Sequence, residues 1–274
     1  MKFKWLCCFE SDEKSNSNQQ TPANKPTDLF ARRLSAYLQK NSIESVIKIA
    51  ESKGYFTESL TAPILSLTVL ESSSLASNTN YKVYAYGLQG SKIHEGIVFF
   101  GKNTQGNDEE IIISSDSPLE EKFLSIFYDL LLKKYFIKDL CFGTFIKILS
   151  EKSIGSSLLI SFVDRRMMLT IKEKVLIVFL IETEERFEFA PNQSPVVVGR
   201  CENCNVRIFG KNISREQCTV FYDQEWFIRD GKSSSSRNGT WFMPLERCEV
   251  TDGMIFNASK TIFSVSLEKG NTNN

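Results

Sequence analysis

An internal duplication limits the folds open to this chain more than any other feature of its 274 residues. Residues 125–148, SIFYDLLLKKYFIKDLCFGTFIKI, and residues 219–245, TVFYDQEWFIRDGKSSSSRNGTWFMPL, present one order of features. Each has a strand ending in Phe-Tyr-Asp, a turn, an aromatic-Phe-Ile-basic-Asp strand, a loop, and then Gly-Thr-aromatic. Upstream, GIVFFGK (96–102) matches VVVGR (196–200). The spacing between partners drifts from 98 positions (Gly101 to Gly199) to 94 (Tyr128 to Tyr222) and 91 (Asp139 to Asp230). It then returns to 96 (Thr144 to Thr240). Drift confined to loops is what two related β units accumulate, because loops absorb length changes that strands cannot. The boundary between the units falls at Lys172–Lys174.

The texture within each unit is β. Segments such as ILSLTVLE (64–71), YKVYAYG (81–87), IIIS (111–114) and YFIKD (135–139) are short, β-branched and aromatic. Gly, Asn, Asp and Ser clusters punctuate them at sandwich-like intervals. The expected fold is mainly β: two tandem β sandwiches, over residues 63–172 and 174–269. Residues 28–62 show helical spacing, with Asp28 and Ser42 as caps and Gly54 as a stop, and predict a short helical hairpin. Residues 1–27 predict a disordered leader, since FESDEKSNSNQQTPANKPTD cannot bury a core. Ahead of that run stands MKFKWLCC, where adjacent Cys7 and Cys8 beside Trp5, Lys2 and Lys4 suit S-acylation and membrane attachment.

Charge and composition exclude several functions. Lys+Arg and Asp+Glu both number 33, so no long-range field draws a nucleic acid, and none is expected as partner. The single histidine, His94, removes most nucleophile–histidine arrangements. Cys201 and Cys204 form a lone CxxC without a second pair, so no metal is expected, and no cofactor. Seven cysteines without an export signal predict reduced thiols and an intracellular, cytoplasmic location that leaves the nucleus open.

Three loops of the second unit hold polar residues of one kind: Gly199-Arg200 leaving a strand, Asn212-Ile213-Ser214-Arg215-Glu216-Gln217 entering one, and Ser236-Arg237-Asn238-Gly239-Thr240. Loops at one end of a sandwich lie together. Guanidinium forks, hydroxyls and loop N–H groups match the three oxygens and roughly −1.5 to −2 charge of a phosphorylated side chain. In Asn238-Gly239-Thr240, glycine permits the tight turn and Thr240 braces it. No nucleophile stands beside a base, so the site binds and does not cut.

These motifs, VGR, ISREQ, FIRD and SRNGT in order, resemble the forkhead-associated (FHA) domain over about 175–267. That resemblance implies an eleven-stranded sandwich that binds phosphothreonine peptides. It gives Arg200 a peptide or phosphate contact, Ser214 and Arg215 the phosphate, Ser236 the phosphothreonine region and Asn238 the peptide main chain. Gln217 stands where the family usually has a loop-bracing histidine. In the first unit Lys102 replaces the arginine, Glu120 and Glu121 replace Ser214-Arg215, Phe123 falls opposite Gln217, and Cys141-Phe142-Gly143-Thr144 lacks the asparagine. That unit is expected to be a degenerate copy. The function expected is a non-catalytic adaptor for a phosphothreonine-containing protein. The alternative is a tandem scaffold for protein–protein interaction without phosphate dependence.

Overall fold

The computed structural model describes residues 62–90, 96–101, 110–113, 122–141, 143–162 and 164–269. The expected leader, the helical hairpin up to residue 61, His94, Lys102, Glu120, Glu121 and Phe142 lie outside the described residues.

The chain is mainly β. The first repeat half supplies β1 (Ile64–Ser72), β2 (Asn80–Tyr84), β3 (Gly87–Leu88), β4 (Ile97–Gly101), β5 (Glu110–Ile112), β6 (Lys122–Asp129), β7 (Lys134–Asp139), β8 (Thr144–Lys147), β9 (Lys152–Ser153), β10 (Ser157–Phe162) and β11 (Arg165–Lys172). The second supplies β12 (Val175–Leu180), β13 (Arg186–Phe189), β14 (Val196–Gly199), β15 (Val206–Arg207), β16 (Cys218–Asp223), β17 (Glu225–Asp230), β18 (Trp241–Met243), β19 (Cys248–Glu249), β20 (Ile255–Ala258) and β21 (Thr261–Glu268). Apart from β3, the strands match pairwise in order. The registers agree too: Leu124 opposes Asp139 as Cys218 opposes Asp230, and Tyr128 opposes Tyr135 as Tyr222 opposes Trp226.

The halves do not close on themselves, and here the tandem expectation is corrected. In each half the last three strands cross over and complete the other sandwich. β21 lies antiparallel to β1, not to β12, while β12 lies against β11. Likewise β20 pairs β8, β10 pairs β18, β19 pairs β7 and β9 pairs β17. One lobe is therefore β1–β8 with β19–β21. The other, lobe two, is the uninterrupted run β9–β18, residues 152–243, lodged between the two parts of lobe one.

An eleven-stranded sheet in the order β13-β12-β11-β10-β18-β8-β20-β21-β1-β2-β3 runs through both lobes. Its centre is the antiparallel pair β8·β18, where Ile146 faces its own repeat partner Phe242. Each lobe also has a five-stranded sheet, β15-β14-β16-β17-β9 or β19-β7-β6-β4-β5. In lobe one, Phe100 of the small sheet meets Phe256 and Phe263 edge-on at 6.1 and 5.6 Å. β12 alternates between buried and half-buried positions and so has one buried face, whereas β4, β6, β7 and β10 are buried on both faces along nearly all their length.

The physical reason for the exchange lies at residues 173–174. Glu173 and Lys174, at φ 50° and 67°, form a two-residue turn between β11 and β12. A loop with two successive positive-φ residues joins strands that are antiparallel neighbours. The last strand of the first half and the first strand of the second must therefore pair, where a tandem array needs a linker. Trp226 Nε1 donates to the Lys174 carbonyl at 2.7 Å and fastens this turn to the small sheet.

Candidate functional site

The three polar loops of the second half meet at one rim of lobe two. Gly199 ends β14, and the chain continues under the 214–217 loop: Arg200 N donates to Ser214 O and Cys201 N to Arg215 O, both at 3.1 Å. A Cβ on Gly199 would collide with the Arg215 carbonyl, so only glycine allows this approach. The third loop joins through Arg237 N, which donates to Ser214 Oγ at 3.0 Å, and Asn238 Nδ2, which donates to Asn212 O at 2.9 Å.

Gln217 holds this assembly from below. It is 1% exposed. Its Oε1 accepts from Ser214 N at 3.0 Å, and its Nε2 lies 2.8 Å from Ser236 Oγ and 3.1 Å from Gly239 O. One carboxamide thus ties the second loop to the third. Asp230, at the end of β17, accepts from Ser236 N (2.9 Å), Ser236 Oγ (2.7 Å) and Thr240 Oγ1 (2.6 Å). A buried polar group leaves water cheaply only when its partners are in place, and here they are.

The rim is electropositive. Arg200, Arg215 and Arg237 are exposed, and none has an ion-pair partner among the described residues. The carboxylate of Glu216 is occupied by Lys232 at 3.2 Å, and that of Asp230 by hydroxyl and amide donors. Ser214 Oγ accepts from Arg237 N, and its own proton has no acceptor among the described residues. Asn238 uses one amide hydrogen on Asn212 and leaves Oδ1 open. Ser236 differs from its expected role: its hydroxyl proton goes to Asp230 while its oxygen accepts from Gln217, so it braces the loop from within.

Three contributors were not singled out from the sequence. Asp230 stood in the repeat motif but read only as a strand end. Arg237 sat between two chosen residues. Lys147 carried no signal, because it comes from the other half: its Cε packs where a Cβ on Gly239 would stand, and Gly239 has φ 76°. Ile148 N also donates to Thr240 O at 2.8 Å, so the first half steadies the third loop. Trp241 is buried, with Nε1 donating to Asn238 O at 3.0 Å.

The matching end of lobe one is built differently. Phe123 occupies the position of Gln217 and is 1% exposed. The buried Thr144 Oγ1 there has no partner among the described residues, whereas Thr240 Oγ1 bonds the Asp230 carboxylate and the main-chain carbonyl of Gln217. Asp139 still accepts from Gly143 N at 3.1 Å. The scaffold persists there without the cross-loop brace.

Two cysteine arrangements have their chemistry defined by burial. Cys218 is fully buried in β16, and desolvation pushes its thiol well above the ordinary value. Cys204 donates to the Arg215 carbonyl at 3.2 Å, and burial raises its thiol too. A raised thiol is a poor nucleophile and a poor metal ligand. Among the described residues no cluster of three or more His, Cys, Asp or Glu side chains could hold a metal ion.

Comparison with known proteins follows the same loops. Residues 196–257 match the family model of the FHA domain, from β14 through most of β20. A solved structure described as a structural and functional analysis of phosphothreonine-dependent FHA domain interactions aligns at 14% identity. It covers 40% of this chain and 95% of that one, with a TM-score of 0.19. The Rv0020c FHA structure aligns at 14% identity over 42% of this chain and 97% of that one, with a TM-score of 0.18. No curated protein matches the sequence. The chain carries an FHA domain in its second half, and that family-matched stretch runs on past β18 into strands that belong to lobe one.

Proposed function

We propose that the rim of lobe two captures phosphothreonine-containing segments of a partner protein, making the chain a non-catalytic adaptor in phosphorylation-dependent signalling or assembly. The observation that carries this reading is the set of three arginines without acidic partners, Arg200, Arg215 and Arg237, around loops braced by Gln217. A phosphate dianion supplies the missing charge. Arg forks and the Ser214 hydroxyl are charge-assisted donors to its oxygens, and Asn238 Oδ1 accepts from the peptide main chain. The loops are already tied, so capture costs little ordering entropy. Cys218 is fully buried and its thiol is raised by desolvation, which opposes a role as nucleophile. The match of residues 196–257 to the FHA family model supports this reading of the rim.

The test compares binding of a phosphothreonine peptide library and its unphosphorylated twin to the full chain. The reading predicts capture of phosphorylated members only, and loss of that difference in Arg200→Ala. Equal capture of both libraries would replace it with a scaffold indifferent to phosphate.

A further inference from the structure

The geometry points to a bilayer contact at the apex of the β6–β7 hairpin: Leu131 and Leu132 inserted into a membrane surface carrying anionic headgroups. Leu131 is 81% exposed and Leu132 49%, at the tip of an otherwise well-buried hairpin. The tip is preformed. Asp129 Oδ1 accepts from Leu131 N at 3.0 Å and Leu132 N at 3.1 Å, and Asp129 Oδ2 accepts from Arg247 at 3.0 Å. Inserting a fixed pair of leucines therefore costs little conformational entropy.

Charge selects the occupant. Lys133 follows the leucines, exposed and with no ion-pair partner among the described residues. Lys134 is turned back to Glu249 at 2.8 Å. An apolar apex followed by an unpaired lysine is complementary to acyl chains beneath anionic headgroups.

The direction in which the tip points supports this. Tyr135 Oη donates to Pro63 O at 2.8 Å, which holds the start of β1 beside the hairpin. β8 and β18 run antiparallel with Lys147 opposite Trp241, which sets the rim of lobe two, and its free arginines, at this same end of the central sheet. Exposed leucines, an unpaired lysine and the unpaired arginines at one end of the sheet combine apolar and electrostatic attraction to such a surface.

The inference does not rest on the phosphothreonine reading, and its test contains no peptide. The full chain with Cys7→Ser and Cys8→Ser, and hence no acylation, is sedimented with vesicles of phosphatidylcholine alone or with added phosphatidylserine. Binding is expected on the anionic vesicles. Leu131→Ser with Leu132→Ser should weaken the partition about tenfold or more, with an unchanged near-ultraviolet spectrum because both side chains are exposed. Lys133→Gln should weaken only the anionic component. Absence of wild-type binding to either vesicle overturns the inference. So does equal partition of the leucine variant, which would assign any binding to the leader. Loss of self-association in that variant with unchanged sedimentation would make the tip a protein contact and overturn it equally.

Discussion

Gln217 is the residue on which the cradle's shape depends. Its carboxamide reaches Ser214 N, Ser236 Oγ and the Gly239 carbonyl from a site 1% exposed. Gln217→Ala removes both ends and leaves buried donors and acceptors unmet, at a cost of about 2–3 kcal/mol. Urea denaturation should show that loss, and phosphopeptide affinity should fall with it although Gln217 touches no ligand. Arg200→Lys keeps the charge and removes the fork. Calorimetry should show affinity for a phosphothreonine peptide lowered about tenfold, with the fold undisturbed. Binding should also weaken as pH falls through about 6, where the phosphate takes up its second proton. At Cys218 the raised thiol stays protonated and enclosed. Alkylation near pH 8 should modify Cys201 in the folded protein and leave Cys218 until denaturant is added.

At the scale of elements, the two-residue turn Glu173–Lys174 decides the topology. Both residues sit in the left-handed region at φ 50° and 67°, where side chains with a Cβ are strained by about 1–2 kcal/mol each. Replacing the pair with Asn-Gly, the sequence such turns favour, should raise stability by about 1 kcal/mol and lift the thermal midpoint. The strands themselves were legible in the sequence, since alternation in ILSLTVLE or the Phe-Tyr-Asp motif survives whatever the strand pairs with. Their partners were not. A duplicated sequence reads the same whether closing strands stay in their own half or cross. The available signal was two apolar runs, ending at Ile171 and resuming at Val175, only three residues apart, the spacing of a hairpin and not of a domain linker. In the site, the loops were legible as carriers of Arg, Ser and Asn, because exposed polar residues at fixed strand ends have few structural reasons to be there. Inward and outward pointing was not: Ser236 and Ser214 look alike in sequence, and only Asp230 beneath one of them separates their roles.

The described residues form two sandwiches side by side along one shared sheet, with lobe two inserted in sequence between the two parts of lobe one. Ile146 facing Phe242 marks a pseudo-twofold relation between halves that have diverged in chemistry. One rim keeps Gln217 and three free arginines; the other has Phe123 and an unpartnered Thr144. The repeat boundary in sequence is thus not the boundary of a folding unit. The account's central claim is that the rim proposed to hold phosphate belongs to the continuous run 152–243, steadied by Lys147 and Ile148 just before it. The direct measurement is the amide spectrum of two fragments, 143–245 and 174–269, each titrated with a phosphothreonine peptide and its unphosphorylated twin. The account predicts dispersed resonances from 143–245, with the Ser214, Arg215 and Arg237 amides shifting on the phosphorylated peptide alone, and a collapsed spectrum from 174–269. A folded, phosphopeptide-responsive 174–269 beside an unfolded 143–245 would contradict it.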